Sequence, residues 1–301
     1  MGRVSQVISD RCSRALSDLA GRSGPLTLET LTFNATLKYS ICQDRRIAVD
    51  ILDESSFEVY EVAHGDAVYN SKVLPEARLS DFFLGASRVE QQYKTVLELL
   101  QSDNSAWLLV SAYYSAFFAC IELTKMFGRI SFSVDESDMN DLKLKATGTS
   151  FAEFFNKGHN NFVGVERAGK LRFNSIGTKP HYFAWDNASK VAKVIFQDRN
   201  WTDAINFMAM LENKDCAPSN IRNTWNYKRA DYFGVNGERR AKEFRKIIGN
   251  TAGAQAWIEQ RGANPGELDP CVVAVMAETL STAVIVASQR AKEIVRTLAS
   301  S

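Results

Sequence analysis

Residues 219–234, SNIRNTWNYKRADYFG, bring together side chains that could act on an anionic ligand. On a helix, residues four apart lie on one face. Arg222 would therefore lie beside Asn226, and Asn223 beside Tyr227. A guanidinium group is permanently charged and donates hydrogen bonds in a forked arrangement, which suits the binding of negatively charged oxygens. We therefore predict a functional site in this stretch.

The start of the same stretch favours a helix. Pro218 is followed by Ser219, whose hydroxyl group can accept a hydrogen bond from a free backbone N–H group of the first turn. Ile221 and Trp225 lie four apart and can anchor another face of this helix in the core.

Positive charge is concentrated around these residues. The whole chain has a formal net charge of only +1, so nothing global indicates binding to nucleic acid or to a membrane. Residues 219–246 contain eight basic and three acidic side chains, a local excess of +5 that leaves −4 on the rest of the chain. A surface that binds a charged partner is therefore expected here.

Composition indicates a globular protein in a reducing compartment. With 301 residues, 45% apolar and 11% aromatic, the chain can form one large domain or two ordinary ones. The five cysteines are odd in number and include no C-x-x-C pair, which argues against a disulfide framework and a zinc site. We therefore expect a cytoplasmic protein.

No membrane segment is predicted. The amino-terminal residues lack the apolar region of a secretory signal. The longest apolar run, residues 271–287, contains Glu278 and is short for a membrane span.

The amino-terminal region combines a predicted helix with a predicted antiparallel β meander. Apolar residues recur at helical spacing over residues 4–19. Apolar and polar residues alternate over residues 31–41, which predicts a half-buried strand, and the alternation returns over 47–51 and 57–62. We therefore predict a small β module between residues 27 and about 69.

Most of the remaining chain has helical patterns. Residues 79–101 follow a helical period, and residues 105–127 are apolar on most faces, which is typical of a buried helix. Small residues between Ser111 and Ala119 would allow another helix to approach closely. Residues 271–298 are predicted to form one long helix with a broad apolar stripe. Shorter helices are predicted over 191–196, 201–211 and 238–248, and a hairpin around residues 167–169.

Together these patterns predict an α+β fold that is mainly α. It consists of a helical bundle, an amino-terminal antiparallel β meander and an irregular α/β insertion at about residues 129–200. We place the domain boundary between residues 74 and 75, with the helical domain over 75–301.

No cofactor or metal site is predicted. His64, His159 and His181 form no recognisable metal-ligand pattern, and structural or surface roles are expected for them. His181 lies among aromatic residues in KPHYFAW, which is typical of core packing and also compatible with a pocket wall. The chain contains no H-E-x-x-H, G-x-S-x-G or G-x-G-x-x-G motif.

Two stretches, AYYSAFF at residues 112–118 and RNTWNY at residues 222–227, carry a family resemblance. They resemble the HEPN superfamily (higher eukaryotes and prokaryotes nucleotide-binding domain), a helical bundle found in many bacterial toxins and antiviral ribonucleases. In active members of the family an arginine, commonly followed by a polar residue, precedes a histidine by a few positions. Arg222 and Asn223 match this pattern, and Tyr227 stands where the histidine is expected. The resemblance covers roughly residues 75–128 and 215–298 and implies a HEPN-like bundle.

The resemblance implies metal-independent cleavage of RNA, in which the 2′-hydroxyl attacks the adjacent phosphorus. The products are a 2′,3′-cyclic phosphate and a 5′-hydroxyl. Arg222 would hold the developing charge, and Asn223 would orient a phosphate oxygen. Tyr227 would move the proton, with help from neighbouring cations because a tyrosine has an ordinary pKa of about 10. The residues predicted to bind RNA are Asn226, Lys228, Arg229, Arg239 and Arg240.

We therefore predict an endoribonuclease of a toxin or phage-defence system that acts on RNA, with tRNA as one candidate substrate. The alternative is a non-catalytic HEPN-like subunit that binds RNA or a nucleotide, or serves in assembly, with Tyr227 marking a decayed site. A partner protein of a defence or toxin–antitoxin operon is also expected.

A two-fold homodimer is predicted from the long carboxy-terminal helix, which must bury its apolar stripe. In this dimer Arg222 from both subunits would share one basic cleft. The alternative is that residues 31–62 cover the stripe within one chain.

Overall fold

The computed structural model describes residues 1–23, 36–62, 73–147, 160–177, 180–198, 200–213, 217–228 and 235–299. In these residues the protein is mainly helical and contains one mixed six-stranded sheet, so the predicted α+β class with a helical majority is confirmed. The chain forms two compact units that each draw on separate segments. The helical unit comprises Met1–Cys12, Gly85–Leu123 and His181–Ala287, and the sheet unit comprises Ser13–Leu84, Thr124–Pro180 and Ser288–Ser301. The predicted domain boundary at residues 74 and 75 stays a prediction.

The helices have the following bounds: α1 Arg3–Arg22, α2 Leu37–Gln43, α3 Val73–Leu99, α4 Ser105–Met126, α5 Glu136–Lys145, α6 Pro180–Phe196, α7 Thr202–Glu212, α8 Pro218–Asn223, α9 Val235–Ile247, α10 Thr251–Arg261 and α11 Pro270–Ala299. A π-helical turn, Thr224–Lys228, follows α8 directly. The long helices α1, α3, α4 and α11 contribute residues to both units. The helices predicted from strong apolar periodicity are therefore confirmed.

The strands are β1 Ile47–Asp53, β2 Ser56–Glu61, β3 Arg129–Ser133, β4 Ala146–Thr147, β5 Asn161–Arg167 and β6 Lys170–Ser175. Their order in the sheet is β3-β5-β6-β2-β1-β4, and only the β1–β4 pair is parallel. The predicted strands at 47–51 and 57–62 are confirmed. They share one sheet with β3, β5 and β6, so the predicted meander is completed by strands of the middle segment.

The predicted hairpin around residues 167–169 is confirmed as β5–β6. Ala168 and Gly169 form its turn and both have positive φ angles, 49° and 78°. A two-residue turn with two positive φ angles matches the twist of the strands on either side.

The strand predicted over residues 31–41 is wrong from residue 37 onward, where the chain forms α2; residues 31–35 lie outside the described part. Thr36 caps this helix, since its hydroxyl oxygen accepts a hydrogen bond from the Tyr39 N–H group at 3.4 Å. The Asp81 carboxylate accepts another from the Leu37 N–H group at 3.2 Å. A side-chain cap and a carboxylate from a distant segment satisfy the free N–H groups of the first turn, and neither is visible in an alternating pattern.

A charged cluster lies inside the sheet unit. The Arg78 side chain is only 6% exposed and donates to the Glu166 carboxylate, which also accepts from Arg22 at 3.0 Å. Burial alone would raise the pKa of Glu166, but the two guanidinium groups outweigh burial and lower it. Glu166 is therefore the counter-charge that allows Arg78 to be buried.

In the helical unit, α4 and α11 approach each other at small residues. The Ser115 and Ser281 hydroxyl oxygens lie 2.8 Å apart, which confirms the close helix contact predicted for the small-residue face of α4. The Glu278 carboxylate of α11 accepts a hydrogen bond from the Tyr93 hydroxyl at 2.5 Å. The apolar stripe of α11 is thus covered by helices of the same chain. The stripe therefore does not by itself support a homodimer. The homodimer stays a prediction.

Among the residues that the structure describes, two helices have the length and hydropathy of a membrane span, α4 and the Pro270–Leu298 part of α11. Burial within the protein covers 67% and 83%, respectively, of the residues in their most apolar stretches. Such burial is also typical of core helices in soluble proteins.

Candidate active site

The predicted site lies on α8 and on the π-helical turn that follows it. Pro218 is the first residue of α8 and Ala217 is its N-cap, so Ser219 lies within the first turn and does not cap the helix as predicted. Ile221 and Trp225 are fully buried, which confirms their predicted role as anchors. The Trp225 indole N–H group also donates to a backbone carbonyl, that of Leu268, at 2.7 Å.

The π-helical turn changes which side chains lie together. A π-helix widens the turn because its hydrogen bonds join residues five apart, so residues four apart no longer align as on an α-helix. The described side chains of Arg222 and Asn226 form no hydrogen bond with each other, nor do those of Asn223 and Tyr227. π-helical turns are frequent at functional sites.

Arg222 is held in place by Tyr114 and Asn223. Its Nη1 donates to the Tyr114 hydroxyl oxygen at 3.0 Å, and its Nε and Nη2 donate to the Asn223 Oδ1 at 3.1 and 2.6 Å. Its Cζ lies 4.6 Å from the ring centroid of Tyr113, within the range of a cation–π interaction. Arg222 and Asn223 are therefore bonded to each other, and the Arg222 guanidinium contacts two tyrosines of α4.

His181, at the start of α6, joins this cluster. Its Nδ1 lies 2.7 Å from the Tyr113 hydroxyl oxygen, and its ring stacks on Phe117 with centroids 4.3 Å apart. Burial and the positive charge of Arg222 lower the pKa of His181 from its ordinary value of 6.5. Nε2 has no hydrogen-bond partner among the described residues. His181 is therefore a neutral group at pH 7 with one free ring nitrogen.

Tyr113 contacts both the Arg222 guanidinium and the His181 imidazole. Burial raises the pKa of Tyr113 to about 12, so its hydroxyl group stays protonated at neutral pH. The same residue lies beneath the Arg222 guanidinium and bonds to the His181 imidazole. The result is a fixed cation beside a group able to transfer a proton near neutral pH, a combination suited to phosphate chemistry.

Sequence reasoning missed His181 as a member of this site. The signal that could have indicated it was the aromatic segment KPHYFAW around His181, which is compatible with a pocket wall. Nothing in the local sequence indicates that α6 places this ring against Tyr113.

The other predicted residues that the structure describes make none of these contacts. Tyr227 is 80% exposed, and Lys228 and Arg239 are exposed. Arg240 lies 3.9 Å from the Asp269 carboxylate, and Arg229 lies outside the described residues. Both polar atoms of the Asn226 amide are shielded from solvent and have no hydrogen-bond partner in the described part of the chain.

A cleft of about 200 Å³ lies at the junction of α4 and the π-helical turn. It is lined by Ala106, Trp107, Val110, Asn226 and Tyr227. Across the described ranges, no group of three or more His, Cys, Asp or Glu side chains is placed to hold a metal ion. A scan against protein-family models and searches of curated proteins and of solved structures found no significant match.

Proposed function

We propose that this protein is a HEPN-like RNA-acting protein, a metal-independent endoribonuclease of a toxin or phage-defence system. The observation that carries the proposal is the 3.0 Å hydrogen bond from Arg222 to Tyr114. It joins the two stretches on which the resemblance rests, residues 112–118 and 222–227, although 108 positions separate the two side chains. The motifs thus meet as parts of one site.

Arg222 retains free donors for a phosphate group. A guanidinium group has five N–H donors, and the bonds to Asn223 and Tyr114 engage three of them. Five minus three leaves two N–H groups for phosphate oxygens. In this arrangement Asn223 orients the guanidinium, and Arg222 stabilises the charge that develops when the 2′-hydroxyl attacks phosphorus.

We assign the transfer of the proton to His181. With its Nδ1–H donating to the Tyr113 hydroxyl oxygen, the free Nε2 would accept the proton of the 2′-hydroxyl as its oxygen bonds to phosphorus. The bond from phosphorus to the 5′-oxygen then breaks, and the leaving 5′-oxygen takes a proton from solvent. Its lowered pKa keeps this nitrogen unprotonated at neutral pH. General acid–base catalysis of this kind accelerates a reaction by a factor of about 10²–10⁴. Tyr227 remains the alternative proton-transferring group, as the sequence predicts.

The test is cleavage of tRNA and total RNA in EDTA by the wild-type protein and by Arg222→Ala. We expect the wild-type protein to cleave and Arg222→Ala to lose roughly 10²-fold or more in rate, as when a charge-stabilising donor is removed from an active site. Arg14→Ala, which replaces an exposed arginine of α1 outside the cluster and outside the residues predicted to bind RNA, is the matched control. Absence of cleavage, or equal cleavage by wild-type protein and Arg222→Ala, would contradict the enzyme proposal.

A second candidate function is binding without turnover, and the local charge excess of residues 219–246 favours it. Several phosphate contacts would give a steep decrease of RNA affinity with salt. Tight, salt-sensitive binding without cleavage would support a binding or assembly subunit. A flat salt dependence would favour a protein partner.

The proposed homodimer can be measured independently. Light scattering at micromolar concentration would give twice the chain mass of 33.6 kDa for a dimer. A mass near 33.6 kDa would contradict the dimer and with it a cleft shared by two Arg222 side chains.

A further inference from the structure

Two exposed aromatic rings line the cleft at α4 and the π-helical turn. Trp107 is 61% exposed and Tyr227 is 80% exposed, and both border the same 200 Å³ space. Neither ring stacks on another aromatic ring in the described structure. Large aromatic residues left open to solvent around a common cleft are typical of binding sites for flat ligands.

The wall of this cleft contains an amide without partners. Asn226 lines the cleft, and its Nδ2 and Oδ1 both lack hydrogen bonds among the described residues while being shielded from solvent. A buried polar group without a partner destabilises a fold. A ligand edge that offers a donor beside an acceptor would satisfy both atoms after the side chain turns into the cleft.

The charges nearby favour a ligand that carries phosphate. Lys228 is exposed and directly follows Tyr227, and the free donors of Arg222 lie one helical turn earlier in the chain. A larger hollow of about 280 Å³ between α6 and α8 is lined by Lys190 and Lys193. These lysines are already paired with carboxylates, at 2.6 and 2.8 Å. The cleft at Trp107 is therefore better suited to an anionic chain.

We propose that this cleft binds an unpaired nucleobase of the RNA, stacked on Trp107 and Tyr227 with its edge paired to the Asn226 amide. This inference rests on the proposed function. Aromatic stacking with edge hydrogen bonds is how proteins recognise single-stranded RNA. An asparagine amide can pair with a base edge through a donor and an acceptor at once. Tyr227 would then contribute its ring rather than its hydroxyl group.

The experiment measures binding of fluorescein-labelled oligoadenylate with 2′-O-methyl riboses, which cannot be cleaved through the 2′-hydroxyl. Fluorescence anisotropy compares the wild-type protein with Trp107→Ala, Tyr227→Ala, Tyr227→Phe and Asn226→Ala. Tyr182→Ala is the matched control, since Tyr182 is also an exposed aromatic residue, 55% exposed, but lies on α6. An abasic oligonucleotide of the same length separates base binding from phosphate binding.

We expect Trp107→Ala and Tyr227→Ala to weaken binding of oligoadenylate by about tenfold, within the range measured for base stacking. Asn226→Ala should weaken it several-fold, whereas Tyr227→Phe and Tyr182→Ala should bind like the wild-type protein. Binding of the abasic chain should be weaker and unchanged by Trp107→Ala. Because Trp107 and Tyr227 are exposed, their replacement should not alter the thermal midpoint.

Two results would overturn the inference alone: wild-type affinity in both Trp107→Ala and Tyr227→Ala, or the same loss in Tyr227→Phe as in Tyr227→Ala. In either case the wild-type protein would still bind and cleave RNA. Failure of the wild-type protein to bind RNA would overturn both proposals, whereas binding without cleavage would contradict the enzyme proposal and leave this inference standing.

Discussion

The Tyr113 hydroxyl oxygen lies 2.7 Å from His181 Nδ1, which ties the start of α6 to the middle of α4. The Tyr113 ring also lies beneath the Arg222 guanidinium, at 4.6 Å from Cζ. One buried side chain therefore positions both the cation and the imidazole. This arrangement makes Tyr113 a positioning residue whose effect can be separated from that of the groups it holds.

Replacing Tyr113 by Phe removes the hydrogen bond to His181 and keeps the ring beneath Arg222. We expect RNA cleavage to lose about tenfold in kcat with little change in KM, because a misplaced catalytic group lowers the rate more than it lowers binding. Steady-state kinetics on a defined RNA would measure this. Tyr114→Phe is the companion variant, since it removes a partner of Arg222 instead. An increase in KM with unchanged kcat for Tyr113→Phe would show that Tyr113 does not position His181 for chemistry.

The pH dependence of cleavage should report His181. A base must be unprotonated, so the midpoint of the acidic limb of the rate profile should lie below pH 6.5, because the pKa of His181 is lowered from 6.5. His181→Gln should lose about 10²–10⁴ in rate and also lose this acidic limb. Rate profiles of kcat/KM from pH 5 to 8 make the comparison. An acidic limb that persists in His181→Gln would assign the proton transfer to another group, with Tyr227→Phe as the next variant to measure.

Glu166→Gln should strongly destabilise the sheet unit. The substitution leaves the buried Arg78 guanidinium without its counter-charge, and breaking a buried ion pair in this way costs about 3–5 kcal/mol. Glu58→Gln is the matched control, because its partner Lys170 is half-exposed and such pairs contribute little. Urea unfolding at pH 7 measures both variants. Equal stability of the two would contradict the assigned role of Glu166.

Glu278→Gln should stabilise the protein at neutral pH, because it replaces a buried charged carboxylate by a neutral amide of the same shape. Burial raises the pKa of Glu278 above its ordinary value of 4.5, so the protonated form is favoured in the fold. Its contribution is fully present below pH 4.5 and is lost as the pH rises through the folded-state pKa. A glutamine carbonyl can still accept from the Tyr93 hydroxyl and from the Gly249 N–H group, as the carboxylate does. Thermal unfolding at pH 5 and pH 7.5 should show a stabilisation that grows with pH; a variant less stable than wild type at pH 7.5 would be the opposite result.

Sequence patterns predicted the parts of this fold that depend on local periodicity. The helices α1, α3, α4 and α11 carry long apolar stripes, and burial of a stripe leaves little choice of conformation. The segment after Thr36 was misassigned because the Asp81 carboxylate, distant in sequence, helps to start a helix there. The pairing of β2 with β6 is a long-range contact that no local pattern records.

The residues of the site that lie close together in the sequence were likewise predictable from local patterns. Arg222 and Asn223 were found from residue type and spacing, and the resemblance pointed to the α4 stretch that contains Tyr114. The predicted pairing of Asn223 with Tyr227 does not form, because the π-helical turn at Thr224–Lys228 changes the helical register. His181 was missed because it reaches the site through tertiary packing of α6 against Tyr113.

We propose that the Arg222 site cleaves RNA through the RNA's own 2′-hydroxyl. The most direct measurement compares, in EDTA, cleavage of an RNA oligonucleotide and of the same molecule with a single 2′-deoxy nucleotide at the mapped cleavage position. We expect a 2′,3′-cyclic phosphate and a 5′-hydroxyl from the first and no cleavage at that position in the second. Cleavage of both at the same rate, or products that carry a 5′-phosphate, would contradict it.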